Sequence, residues 1–401
     1  MRFEDPQVKQ FKPFALDDKI LVHGVEISQT LDQLRLEVFP PDARKTLKLF
    51  PIQEVATYVG TSANNLKRLH LEGKGPIPET SSGGRRYYTA EQIEEVRQFL
   101  DKTGKAASKR YVPQRRDGDK LQVVAVVNFK GGSGKTTTTA HLAQHLSLTG
   151  HRVLAVDLDP QGSLSALHGF QPELDKNLSL YDAIRYDDER KPVRDTIQKT
   201  NFPMLDIIPA NIELQEFEYD TPLAMQNSNE GKTFFARISR VLQEVDGDYD
   251  LVIIDCPPQL GYLTLTALSA ATSILITVHP QMLDLMSMSQ FLLMLGNITK
   301  TLKGAGVAVQ MDWLRYLITR YNPSDVPQRR MVGLMETILA QDILETPMLN
   351  STAISDAGLT KRSLYELEKG TVNRGTYDRA LDCMQKVNFE IQGLIHQAWG
   401  R

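Results

Sequence analysis

Two lysines five residues apart, Lys130 and Lys135, flank the glycines of the run Lys130-Gly131-Gly132-Ser133-Gly134-Lys135-Thr136. A turn this rich in glycine lets several backbone N–H groups converge on phosphate oxygens. Lys135 is placed to reach a β- and γ-phosphate, and the Thr136 hydroxyl suits Mg²⁺. Thr137 follows in the first turn of a predicted helix, whose N-terminus adds partial positive charge to the same spot. The apolar run Leu121 to Val127 before the loop reads as a buried strand. Strand, glycine turn and helix start together make the pattern specific.

Carboxylates recur where such a site needs them. Asp157 and Asp159 end the apolar stretch Val153 to Val156, just before a Pro160-Gln161-Gly162 turn. Asp255 ends Leu251-Val252-Ile253-Ile254, four apolar residues suited to a strand covered on both faces. Open α/β sheets bind ligands at the carboxyl ends of their strands. Ile274 to Val278 reads as a further buried strand, and His279 after it reads as a strand-end residue, since no nucleophile–base pair surrounds it. No Asn-Lys-Xaa-Asp box for guanine occurs anywhere, which favours ATP over GTP.

The elements that position these groups follow from the pattern. After residue 120, strand-type runs alternate with helix-type runs such as Tyr262 to Ala271 and Leu283 to Lys303, implying a doubly wound, mostly parallel α/β sheet. Residues 109–120 are polar, basic and broken by Gly and Pro, the composition of a linker that could also touch phosphates. With 401 residues there is room for two or three domains. A formal net charge of −3 excludes a global cationic field, so any nucleic-acid surface must be local. Two cysteines without metal spacing point to free thiols in a reducing cytoplasm. No apolar run nears the ~18 residues of a membrane span.

Before the linker, Ile52 to Tyr58 and Ala63 to Leu71 have helical apolar spacing around a Gly60 turn, with Thr61 or Ser62 as the second helix's N-cap. Ile52, Val55, Ala56, Val59, Leu66 and Leu69 would pack the pair as a helix-turn-helix. Asn64, Asn65, Lys67 and Arg68 then face outward near the start of the second helix, where side chains reach base edges. Gly83-Gly84 ahead of Arg85-Arg86-Tyr87-Tyr88 resembles the wing of MerR-like winged helix-turn-helix proteins, putting Arg85 and Arg86 on the DNA backbone or in a groove. Residues 1–50 read as a helical arm for dimerisation, with apolar positions Leu31, Leu34, Leu36, Val38, Leu47 and Leu49 interrupted at Pro40-Pro41. Residues 51–108 form the winged domain, and 121–401 the ATPase. Near the end, Gly358 to Arg379 reads as a mixed-charge helical region. In it Lys361 and Arg362, with Arg329 and Arg330, offer a sequence-independent DNA surface.

The loop with its extra Lys130 resembles the deviant Walker A box of the ParA/MinD superfamily, and the winged domain narrows this to the large plasmid ParA partition ATPases. The resemblance implies that Lys130 crosses a homodimer interface to the partner's nucleotide. It implies that Asp159 handles the attacking water, that Asp255 is the Walker B acid, that Asp157 lies near the Mg²⁺ shell, and that Asn322 or Pro323 lies near adenine. It further implies a weak Mg²⁺-dependent ATPase, cytoplasmic and nucleoid-associated. Its ATP-bound dimer would bind nucleoid DNA nonspecifically and meet a ParB-type partner that stimulates hydrolysis. Its ADP or apo dimer would repress its own operon at a specific operator. A MinD-like positioner is disfavoured because the tail Phe389 to Arg401 is not a basic amphipathic helix. An iron–sulfur reductase is disfavoured by the cysteine positions. A nucleotide-gated repressor without segregation would use the same residues.

Overall fold

The computed structural model describes residues 15–38, 45–104, 110–170, 177–304, 310–368, 370 and 372–401. Residues 1–44 and 45–401 form two separate compact units. In the first, α1 (Leu16–Val38) starts well before Ile27, and it leaves Leu16, Ile20, Leu21, Val22, Val25 and Ile27 exposed. The side chains of Leu31, Leu34, Leu36 and Val38, and all of Pro40 and Pro41, lie outside the described residues. Of the arm expected over residues 1–50, residues 45–50 fall in the second unit. Lys45 and Lys48 belong to the second unit, where the Lys45 ammonium pairs with buried Glu366 at 2.9 Å and Lys48 donates to Tyr377 Oη at 2.9 Å.

The winged module begins with β1 (Phe50–Pro51) and α2 (Ile52–Val59), followed by α3 (Ala63–Leu71). Ser62, and not Thr61, caps α3, its hydroxyl accepting from the Asn65 N–H at 3.1 Å. β2 (Glu79–Thr80) and β3 (Arg86–Tyr88) pair antiparallel as the wing, with β3 in the middle of the three strands. Then α4 (Ala90–Thr103) starts at a Thr89–Gln92 capping box. Ile52, Val55, Ala56, Val59 and Leu66 are buried together, and Leu69 packs against them. The helical spacing of the sequence thus becomes one shared apolar seam.

Among the described residues the ATPase module carries a seven-stranded sheet. Its strands are β4 (Gln122–Val127), β5 (Val153–Asp157), β6 (Gln198–Lys199), β7 (Leu205–Ile208), β8 (Leu251–Asp255), β9 (Ser273–Val278) and β10 (Trp313–Ile318). Their spatial order is β10-β9-β4-β8-β5-β7-β6, parallel except for β6 on β7. β4, β5, β8 and β9 are buried along their whole length, as a parallel sheet covered on both faces requires. The expected doubly wound α/β fold is therefore present. On one face α5 (Lys135–Leu148) packs against the long helix Arg374–Ala398. The expected helix across Gly358–Arg379 is broken: Thr360–Leu367 forms turns, with Lys361 at φ 51°.

The stretch read as a linker is also built in. From residue 110 onward it lies against the ATPase module. The Arg115 N–H donates to Asp250 Oδ1 at 3.1 Å, and its guanidinium pairs with Asp246. Trp399 Nε1 donates to Lys120 O at 2.8 Å. The Arg401 guanidinium bonds to Pro113 O, Gln114 O and Asp119. Arg115 is thereby turned inward, away from any role as a phosphate-contacting arm.

Candidate nucleotide-binding site

The glycine loop leaves β4, an interior strand of the sheet, and runs straight into α5. β4 pairs with β8 on one side and β9 on the other, and β8 pairs with β5. In that register Asp157 and Asp255 sit directly opposite each other at adjacent strand ends, beside the loop. Gly132 and Gly134 adopt left-handed conformations, φ 78° and 85°, that aim successive N–H groups into one concavity. At Gly134 a Cβ would also stand 3.4 Å from Thr319. Neighbouring strand ends hold the loop shut. Thr319 Oγ1 donates to Ser133 O at 2.7 Å, Ser133 Oγ lies 3.0 Å from Thr277 Oγ1, and Arg320 Nη1 donates to Gly132 O at 3.0 Å. The amide of Asn128 donates to Thr277 O and its oxygen accepts from the Lys130 N–H. Gly131 and Gly132 stay exposed at the mouth.

Lys135 is buried, its ammonium 3.3 Å from Lys130 O. Burial lowers its pKa, and the charges of Asp255 and Asp159 oppose that shift. Asp255 is buried as well. Its Oδ1 accepts from Thr139 Oγ1 at 3.3 Å, and Thr136 stands beside the carboxylate. Among the described residues, its Oδ2 is buried without a hydrogen-bond partner. Burial and the facing Asp157 carboxyl raise its pKa. An unpaired carboxylate oxygen beside a threonine hydroxyl is a hard-oxygen donor set that fits Mg²⁺.

Asp157 is otherwise occupied. Its Oδ2 accepts from Ser165 N–H and Oγ–H at 2.8 and 2.7 Å, and its Oδ1 from the Asp159 N–H at 3.2 Å. Its pKa rises through burial. The carboxylate thus fixes the Asp159 turn, and the fit to a cation rests on Asp255 and Thr136. Asp159 is half-buried, with Oδ1 accepting from the Gln161 N–H at 3.0 Å. Thr137 O accepts from His141 Nδ1 at 2.7 Å, while His141 Nε2 accepts the Leu364 N–H at 3.1 Å. Those two bonds fix a neutral imidazole with its proton on Nδ1. Asn322 is exposed, its side-chain oxygen closing a turn onto the Ser324 N–H, and Pro323 beside it is exposed. His279 stands at the end of β9, half-buried, with its pKa lowered by burial and by Arg320.

Lys130 is turned toward its own subunit. Its ammonium sits 2.6 Å from Asp284 Oδ2, in the first turn of the helix Met282–Gly304. Sequence reading missed Asp284, as it missed Thr277, Thr319, Arg320 and Ser165. All five lie in segments without a motif; the fold brings Thr277, Thr319, Arg320 and Asp284 to the loop and Ser165 to Asp157.

The expected DNA residues fall into two groups. On the recognition helix, Asn64, Lys67 and Arg68 are exposed. Asn65 is spent locally, donating to Thr61 Oγ1 at 3.1 Å and accepting from Arg68 Nη2 at 2.9 Å. Arg85 is exposed at the wing turn, and Arg86 is half-buried on β3. Elsewhere, Arg362, Arg329 and Arg330 are exposed and Lys361 is half-buried, on elements of the ATPase module.

Residues 121–305 match the family model of an AAA domain, and residues 50–100 match that of the MerR HTH family of regulatory proteins. A Sinorhizobium fredii protein provisionally named replication protein A is 61% identical over 403 residues, 100% of this chain and 99% of that protein. Protein SopA of Escherichia coli K12 is 31% identical, over 94% of this chain and 96% of its own. A solved structure named Partition Protein covers 96% of this chain and 99% of its own at a TM-score of 0.60 and 17% identity, a likeness of fold.

Proposed function

The chain belongs to the ParA-type partition ATPases that carry a helix-turn-helix at the N-terminal end, and from that premise we propose that it is both a DNA-segregation ATPase and the repressor of its own operon. The observation that carries this is the double use of α5. Its N-terminus forms the phosphate loop, while the winged module is bonded to its C-terminus through Arg97, which donates to Leu148 O at 2.8 Å. Nucleotide and operator thus act on opposite ends of one helix.

In this reading Gly131 to Gly134 and the N-terminus of α5 cradle the triphosphate, with Thr137 in the first turn. Lys135 neutralises the β- and γ-phosphates. Lys130 reaches the partner subunit's nucleotide, so that homodimerisation and ATP binding are one linked event. Asp159 orients or deprotonates the attacking water. Thr136 and Asp255 hold Mg²⁺, which supplies charge neutralisation along the phosphates. Asn322 and Pro323 border the adenine. Lys361 and Arg362 contact nucleoid DNA without sequence preference, whereas Asn64, Lys67 and Arg68, with Arg85 and Arg86 on the backbone, read the operator. A ParB-type partner and DNA stimulate hydrolysis.

The test is binding to operator and to random DNA, with ADP and with ATP, across a salt series. Operator binding should be strongest with ADP, and should be lost in Arg68→Ala while that variant's ATPase persists. Random DNA should bind only with ATP and weaken steeply with salt. Equal nucleotide preference for both DNAs, or joint loss of ATPase and operator binding in Arg68→Ala, would refute the two-state reading.

A further inference from the structure

We propose that Asp284 is a cis latch on Lys130, a positioning residue that holds the signature lysine away from the partner subunit until a triphosphate is there to take it. The inference rests on the reading that Lys130 acts in trans.

The geometry is one-sided. Asp284 is 4% exposed while the Lys130 side chain is 40% exposed, and their charged atoms meet at 2.6 Å. The carboxylate is anchored in the first turn of a 23-residue helix, and the lysine is the mobile member on a flexible loop-borne stem. Among the described residues, Lys130 is the one hydrogen-bond and ion-pair partner of Asp284. When the ammonium swings out to cross a dimer interface, a nearly buried carboxylate is left without its counter-charge. Losing one member of such a pair is costly. The partner's phosphates must exceed that cost before the crossing is favourable. A γ-phosphate adds negative charge that a diphosphate lacks, so the latch sharpens the distinction between ATP and ADP.

The latch also counts twice. In a twofold dimer both protomers release their lysines, so its effect on the dimer equilibrium is the square of its effect on one protomer. If one latch resists opening by on the order of fivefold, as for a partly exposed ion pair, two resist by about 25-fold.

The experiment is sedimentation of the full chain with a non-hydrolysable ATP analogue, comparing wild type, Asp284→Asn, Lys130→Ala and the double variant. Asp284→Ser, which keeps a small polar group in the helix's first turn, replaces the amide variant if that one is unstable. Asp284→Asn should tighten the dimer formed with the ATP analogue by about tenfold or more. Lys130→Ala should itself lose that dimer and the double variant should not regain it, because the tightening acts through Lys130; a dimer regained in the double variant would show a structural role for Asp284 and overturn the latch. An unchanged or weaker dimer in Asp284→Asn, alongside a dimer lost in Lys130→Ala, overturns the latch and leaves the trans lysine standing. A normal dimer in Lys130→Ala overturns the trans lysine itself.

Discussion

Arg97, on the last helix of the winged module, closes the C-terminal end of the phosphate-loop helix by donating to Leu148 O at 2.8 Å. The same guanidinium donates to Tyr58 O at 3.2 Å, reaches Tyr111 O at 3.5 Å, and pairs with Glu94 at 3.1 Å. It is 2% exposed and occupies the space a side chain at Gly150 would need. One cation therefore binds α2, the segment after residue 109 and α5 together.

Removing that cation should separate the modules. Arg97→Met leaves Glu94 and three backbone carbonyls short of a partner, at a cost of about 3–5 kcal/mol. Gly150→Ala meets both a strained φ of 100° and a Cβ 2.3 Å from Arg97 Nε, at a cost of ~3 kcal/mol. In calorimetry both variants should unfold with the winged module melting ahead of the ATPase. A single cooperative transition at the wild-type temperature would show that Arg97 does not join them.

The phosphate loop and the acid that follows β5 should fail in different ways. Lys135→Ala removes the buried ammonium and should abolish nucleotide binding, read by titration with a fluorescent ATP. Asp159→Ala should keep that affinity and lower the hydrolysis rate by about 10²–10⁴-fold, the range for loss of a general base. Retained turnover in Asp159→Ala would remove its water-handling role.

Acid should weaken the face between α5 and the helix Arg374–Ala398 in a way that can be assigned. Burial holds His141, His145 and His168 at pKa values of about 4, below the ordinary 6.5. For a histidine kept neutral by the fold, the stabilisation is complete above pH 6.5 and is lost as pH falls toward 4. Between pH 7.5 and 5 each imidazole should cost about 2 kcal/mol. The raised carboxyls of Asp157 and Asp255 act in the opposite sense, so the comparison is between chains. A His145→Gln variant should lose about 2 kcal/mol less than wild type over that interval in urea titrations. Parallel losses would mean that His145 is not kept neutral.

What the sequence made legible was whatever physics writes locally. Val123 to Val127, Val153 to Val156 and Leu251 to Ile254 read as buried strands because each is an unbroken apolar run, and the fold has strands there. The glycine loop announced itself through residue types that few other structures need. What stayed hidden depends on distant pieces meeting. Thr319 and Arg320 brace a loop some 186 residues earlier. Asp157, an acid at a strand end, reads the same whether it faces a cation or, as here, three protein donors. Charge composition misled at Arg115, whose neighbours suggested solvent although its partner is Asp246. Lys361 and Arg362 suggested a helix because their surroundings are helix-forming, yet buried Glu366 draws the loop inward through the Ser363 N–H, Lys45 and Asn201.

The clamping of residues 110–120 by Trp399 and Arg401 has a geometric consequence. A tether pinned along its length transmits orientation, so in a homodimer the separation of the two α3 helices is dictated by how the ATPase modules dock. An operator's half-site spacing would be inherited from that docking, and inserting Gly-Ser residues after Lys120 would disturb it without granting the free reach that a slack leash provides.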